Sequence, residues 1–137
     1  MKGEYAMNLN KKAKYWFDLA TEDIEVARVL LGGEKMLYAV FMCHLSIEKG
    51  LKAVIANTAA DILPPKTHDL VKLAKQSGIY SKMDDSQKDF LEVLLPLNIE
   101  ARYPSYKDNI TASLNESSCR EILDETEALL KWINQAL

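Results

Sequence analysis

Apolar residues recur at three- and four-residue spacing along most of the chain, which is the period of helices that bury one face. Five such segments are separated by short stretches of Gly, Pro, Asp and Ser. The first runs from about 10 to 31 and the second from about 34 to 58. No segment has the two-residue alternation of a strand. We therefore predict an all-α, antiparallel up-and-down bundle of about five helices, as a single domain over 1–137 with a frayed lead-in at 1–9.

Residues that favour helix ends set the first boundaries. The Gly32-Gly33 pair is expected to end the first helix, because glycine readily takes the left-handed conformation at a helix C-terminus. So short a link makes the second helix antiparallel to the first. A third, short helix is predicted with Thr67 or Asp69 as its N-cap and Gly78 at its end. His68 then lies in its first turn.

The fourth helix is predicted to be capped by Asp84, Asp85 or Ser86 and to end near Ala101. Pro96 should kink or loosen it, because proline lacks the backbone N–H that the helix needs.

A surface loop is predicted over residues 103–114, which are polar and turn-forming without a lasting period. The last helix is expected to open at Ser117 or Ser118, with Glu121 completing a capping box.

The composition is that of an ordinary soluble protein. Of the 137 residues 48% are hydrophobic and 27% charged, and the net charge of -3 gives no overall attraction to nucleic acid. No apolar run reaches the roughly 20 residues that span a bilayer, so we expect no membrane association and a cytoplasmic location. Cys43 and Cys119 lack the C-x-x-C spacing of a zinc or redox site and are expected to be buried thiols. No metal or cofactor is expected.

The second helix carries the most distinctive pattern in the chain. Its stretch from Tyr38 to Ala56 is apolar on nearly every side, which is typical of a helix surrounded by others. His44, Glu48 and Lys52 are spaced four apart and so share one edge of it, with Lys49 beside them. A polar stripe on a buried helix needs partners or a water-facing groove. This stripe is therefore the first candidate for function.

Several segments resemble the HEPN family of small helical-bundle domains, which are often found beside minimal nucleotidyltransferases. They are YWFDLATEDIEVARVLL, AVFMCHLSIEKGLKAVI, PPKTHDLVKLAKQSGI and EARYPSY, and they follow the family's order and spacing. The resemblance implies a helical bundle that forms a dimer. A homodimer built on the first two helices also accounts for Tyr15, Trp16 and Phe17, whose rings surround more than one side of the first helix.

Many members of the family are metal-independent ribonucleases that use an Arg followed four to six residues later by a His. The arginines here are Arg28, Arg102 and Arg120, and neither His44 nor His68 stands at that distance after any of them. The chemistry needs an imidazole to move a proton and a guanidinium to hold the phosphate. We therefore expect a binding module without ribonuclease activity.

The resemblance implies a homodimer that binds a nucleotide or docks a separately encoded minimal nucleotidyltransferase. The residues that we expect to bind the nucleotide or partner are His44, Glu48, Lys49, Lys52, Lys66, His68, Arg102 and Tyr103, with no catalytic residue among them. RNA is possible but not favoured as a ligand.

Two alternatives stay open. One is a ribonuclease, as the toxin of a toxin–antitoxin pair, in which Arg102 meets His44 or His68 in space. The other is a purely structural domain, which a fully paired polar stripe would favour.

Overall fold

A computed structural model describes residues 10–58, 63–98 and 114–137 of the chain. In these ranges the helices are α1 (Lys11–Gly32), α2 (Met36–Thr58), α3 (Leu70–Ser77), α4 (Asp85–Leu94) and α5 (Glu116–Gln135), with a short 3-10 helix at Tyr80–Lys82 between α3 and α4. The predicted all-α bundle is confirmed. None of the helices in these ranges combines the length and the apolar character that a membrane crossing requires.

The helix α2 is the centre of the bundle and packs against α1, α3, α4 and α5. Its apolar residues are buried on several sides, as the sequence predicts, and include Val40, Ile47 and Leu51 at 0% exposure. Gly50 allows α5 to approach closely, because a Cβ there would lie 2.7 Å from Leu130 Cδ1. Burial of α2 among four neighbours is the main hydrophobic contribution to the fold.

The antiparallel hairpin of α1 and α2 is fixed at its open end by Asn10. The Asn10 side-chain oxygen accepts from Ala13 N as the N-cap of α1, and its Nδ2 donates to Ala56 O near the end of α2 at 2.6 Å. The Asn10 backbone N–H donates to the side chain of Asn57. One residue thereby caps the first helix and joins it to the second.

The sequence places several helix ends correctly. Asp69 is the N-cap of α3, and Gly78 ends this helix with a left-handed φ of 86°. Asp84 is the N-cap of α4 and forms a capping box with Gln87. The helix α4 ends at Leu94, two residues before Pro96, so the predicted loosening there is confirmed. The predicted continuation to Ala101 lies outside the described residues.

Three other predictions about helix ends differ from the structure in detail. The Gly32-Gly33 pair ends α1 as predicted, but Gly33 has φ −91° and the left-handed residue of the turn is Glu34, at φ 61°. His68 precedes the cap of α3 instead of lying in its first turn. The helix α5 is capped by Asn115, whose capping box is completed by the Ser118 side chain. An Asn side chain closer to the turn therefore takes the position that we assigned to a serine.

Candidate functional site at Glu48 and His68

Glu48 lies in the middle of α2 and is 4% exposed. Its Oε1 lies 2.7 Å from His68 Nδ1 and 3.4 Å from His44 Nε2, and its Oε2 accepts from Lys52 Nζ at 3.1 Å. His44 and Lys52 come from one turn of α2 before and after Glu48, whereas His68 comes from the segment that leads into α3. The buried carboxylate therefore gathers three nitrogen-bearing side chains from two parts of the chain.

His44 belongs to the interior of this group. It is 0% exposed, and its Nδ1 lies 2.9 Å from the carbonyl oxygen of Leu94 at the end of α4. Since a carbonyl can only accept, Nδ1 carries the proton and donates. The Nε2 atom faces Glu48 without the geometry of a hydrogen bond. His44 thus joins α2 to α4 and is not accessible to a ligand.

The electrostatics of the group keep Glu48 ionised. Burial acts to raise its pKa, but the contacts from His44, His68 and Lys52 outweigh burial and lower the pKa from 4.5 to about 2. Because an ionised carboxylate can only accept, the Nδ1 of His68 must donate to it. In the neutral imidazole, Nε2 is then an acceptor. Glu48 therefore fixes both the orientation and the tautomer of His68.

Both lysines of the stripe are already paired within the bundle. Besides contacting Glu48, Lys52 lies over the ring of Trp16, with Nζ 5.5 Å from the ring centroid. Lys49 forms an ion pair with Asp23 of α1 at 2.8 Å. Burial is the main reason that the pKa of Asp23 is raised, and Lys49 opposes the rise. These two cations are therefore compensated inside the protein.

An open groove of about 550 Å³ begins where the polar group reaches the surface. His68 is the member of the group that lines it, and the His68 side chain is 47% exposed. The described lining consists of His68, Asp69, Glu92, Leu95, Pro96 and Asn98. Its size and its mixture of apolar and polar groups fit the usual properties of a ligand or docking site.

The structure brings together four of the eight predicted site residues, namely His44, Glu48, Lys52 and His68. Lys49 lies next to them but pairs with α1. Lys66 is exposed two residues before His68 and has no hydrogen bond or ion pair with the described part of the chain. Arg102 and Tyr103 lie outside the described residues.

Sequence reasoning missed Asp23, Trp16 and the groove residues Glu92 and Asn98. Asp23 carried a signal, because it stands among the buried positions Ala20, Ile24 and Ala27 of α1, where an unpaired carboxylate would be costly. The groove residues carried no such signal, because the described lining of the groove joins the entry to α3 with α4 and the residues that follow it, which are far apart in sequence.

A second groove of about 280 Å³ lies between α1 and α5. Arg28 lines it and already binds Glu127 and Asp124 of α5. No histidine is among its described lining residues, which makes the groove at His68 the stronger candidate. In the described ranges, no three His, Cys, Asp or Glu side chains are grouped as a metal site requires. Cys43 and Cys119 are buried thiols, and burial raises the pKa of Cys43 to about 12.

Comparison with known proteins gives the class of the molecule. The HEPN domain family matches residues 13–136, and the chain therefore belongs to the HEPN family. Its fold is similar to that in the crystal structure of TT1696 from Thermus thermophilus, with a TM-score of 0.78, 20% sequence identity, and coverage of 93% of this chain and 100% of that one. No curated protein matches the sequence.

Proposed function

We propose that this HEPN protein is a binding module without ribonuclease activity, and that it docks a partner protein in the groove beside His68. The partner that we propose is a separately encoded minimal nucleotidyltransferase. One observation carries the proposal: Lys49 and Lys52 are paired inside the bundle, and of the side chains around Glu48 it is His68 that lines the groove, among carboxylates and apolar side chains. The absence of the Arg-then-His spacing supports the lack of nuclease activity.

The charges around the groove favour a protein over a free nucleotide as its occupant. Asp69 and Glu92 are both exposed carboxylates of the lining, and they would repel phosphate groups. Leu95 and Pro96 add apolar surface between them, which is the kind of surface that protein side chains cover. Nucleotide binding, the other version of this function, would need its cations from Lys66 and Arg102.

Calorimetric titration of the full chain with each purified minimal nucleotidyltransferase from the same genome tests docking. We expect one of them to bind, and we expect Leu95→Asp to weaken that binding by about tenfold or more, because Leu95 lines the groove. Val93→Asp is the matched control, since Val93 is exposed on α4 outside the described lining. No binding by any of them, with ATP bound instead, would favour the nucleotide version. No binding of either would leave a purely structural domain.

A ribonuclease is the second candidate, and one observation favours it. A buried, ionised Glu48 that holds the Nδ1–H of a half-exposed His68 is the arrangement that orients a general base. The buried His44 has no such access. Incubation of RNA with the wild type, His68→Ala and Arg102→Ala separates the two functions. Cleavage by the wild type that both substitutions abolish would establish the enzyme in place of the docking module.

We also propose that the module is a homodimer that uses the outer face of α1. Tyr15, Val26 and Val29 share this face and are 63%, 38% and 75% exposed. Three exposed apolar side chains on one helix face are commonly covered by a second copy.

A further inference from the structure

We propose that the groove beside His68 receives an arginine side chain of the docked partner. The inference rests on the proposed docking function and names the chemical group that the groove recognises. It follows from the donor and acceptor character of the lining, from its charge, and from the position of its apolar surface.

His68, Asp69 and Glu92 present acceptors to the groove. His68 donates its Nδ1–H to Glu48, which leaves the Nε2 of the neutral ring as an acceptor. Asp69 Oδ1 caps α3 by accepting from Lys72 N, and its second oxygen has no hydrogen bond within the described part of the chain. Glu92 is exposed and forms no ion pair there either. Such a surface binds groups that carry several donors.

Asn98 adds a buried acceptor to the same lining. The residue is 6% exposed, and its Oδ1 is buried without a hydrogen-bond partner in the described ranges. An unpaired buried acceptor is costly, and a ligand that donates to it would recover that loss. Neither Lys nor Arg is among the described lining residues, so no cation of the described lining neutralises the two carboxylates.

The shape of the groove favours arginine among cationic groups. Leu95 and Pro96 provide apolar surface on which the methylene stem of a long side chain packs. The guanidinium has five donors in one plane and suits several acceptors at once, whereas an ammonium is a compact and strongly hydrated charge. An arginine therefore uses both the apolar and the polar parts of the lining.

Nuclear magnetic resonance titration of the ¹⁵N-labelled full chain tests this with N-acetyl-arginine amide as the probe. We expect saturable shifts centred on the amides of His68, Asp69, Glu92 and Leu95. N-acetyl-citrulline amide is the neutral isostere, and we expect it to bind about tenfold more weakly, since it lacks the charge. N-acetyl-lysine amide should bind about threefold more weakly than N-acetyl-arginine amide. Equal affinity for citrulline and arginine, or for lysine and arginine, would overturn the inference.

Two substitutions remove the charge of the groove without changing its shape. Asp69→Asn keeps an N-capping side chain, and Glu92→Gln keeps the length of the residue. Each should weaken binding of the arginine probe by about threefold, and the two together by about tenfold. Asp89→Asn is the matched control, because Asp89 is an exposed carboxylate of α4 outside the described lining. An equal loss of affinity for the arginine probe in Asp89→Asn would contradict a specific site.

The same titration distinguishes an arginine of the partner from Arg102 of this chain. If Arg102 occupies the groove, the probe will bind Arg102→Ala but not the wild type, and the inference is wrong. The proposed docking function is tested separately. A nucleotidyltransferase that binds equally well to the wild type and to the double variant of Asp69 and Glu92 would refute the arginine site alone. Probe binding without binding of any nucleotidyltransferase would refute the docking function and would leave the groove as a site for an arginine from another source.

Discussion

The carboxylate of Glu48 holds the imidazole of His68 through a hydrogen bond of 2.7 Å between Oε1 and Nδ1, although 20 residues separate the two in sequence. This bond attaches the segment that follows Pro64-Pro65 to the middle of α2. It also leaves one nitrogen of an oriented imidazole at the open groove. The same contact therefore holds the entry to α3 against α2 and orients the histidine that lines the candidate site.

Glu48→Gln should destabilise the protein by about 3 kcal/mol at neutral pH, because it removes the charge that compensates Lys52 and that accepts the hydrogen bond from His68. The pKa of Glu48 is lowered from 4.5 to about 2 in the folded state. The stability that ionised Glu48 contributes is therefore fully present above pH 4.5 and is lost as the pH falls from 4.5 towards 2. Urea unfolding of the wild type and Glu48→Gln across this pH range should show that the difference in their free energies of unfolding becomes smaller as the pH falls.

The exposed Glu121 of α5 provides the control for that experiment. Glu121→Gln should change the free energy of unfolding by less than about 0.5 kcal/mol at every pH. A difference between Glu48→Gln and the wild type that stays constant down to the lowest pH would contradict the ionised state of Glu48.

Lys49→Met should leave Asp23 buried without its cation and lower stability by about 2 kcal/mol at neutral pH. Burial already raises the pKa of Asp23 above 3.8, and loss of Lys49 raises it further. A raised carboxyl pKa favours the folded state at low pH, so the deficit should be smallest near pH 3.8 and should grow above it, where Asp23 ionises in the folded state. Urea unfolding at acidic and neutral pH measures it, with Lys35→Met at an exposed position as the control. A deficit that is independent of pH would exclude the charge of Asp23 as its cause.

Glu34→Gly should stabilise the protein by about 1 kcal/mol, because Glu34 has φ 61°, where a side chain is strained and glycine is not. Thermal and urea unfolding measure the gain. Lys35→Gly, one residue later, should bring no gain. Equal changes at the two positions would show that the turn does not hold Glu34 in the left-handed region.

Val29→Asp should convert the proposed homodimer to a monomer, because Val29 is the most exposed residue of the apolar face of α1. Sedimentation velocity of the wild type and the variant measures the mass. Val93→Asp adds the same charge at an exposed apolar position of α4 and should leave the dimer intact. A monomeric wild type would refute the dimer.

Much of the fold follows from the sequence because its signals are local. The helical period, the Asp69 cap and Gly78 are each set by residues within a turn of one another, and the structure agrees with all three. The left-handed Glu34 was not predictable in this way. The usual signal for a left-handed residue is glycine, and here the left-handed residue follows the Gly32-Gly33 pair instead of belonging to it.

The candidate site was predictable only in part. Four-residue spacing on α2 placed His44, Glu48 and Lys52 on one edge, as found. The pairing of Lys49 with Asp23 depends on how α1 lies against α2, which no local pattern specifies. The same is true of the groove, whose described lining comes from α4, the residues that follow it and the entry to α3.

The tautomer of His68 tests the central claim most directly, since the claim is that Glu48 orients this ring and leaves its second nitrogen as an acceptor. Correlation of the imidazole ¹⁵N and carbon-bound protons by nuclear magnetic resonance, at a pH where the ring is neutral, reports which nitrogen is protonated. We expect the proton on Nδ1 and a free lone pair on Nε2 in the wild type, and loss of this preference in Glu48→Ala. A proton on Nε2 in the wild type would contradict the account.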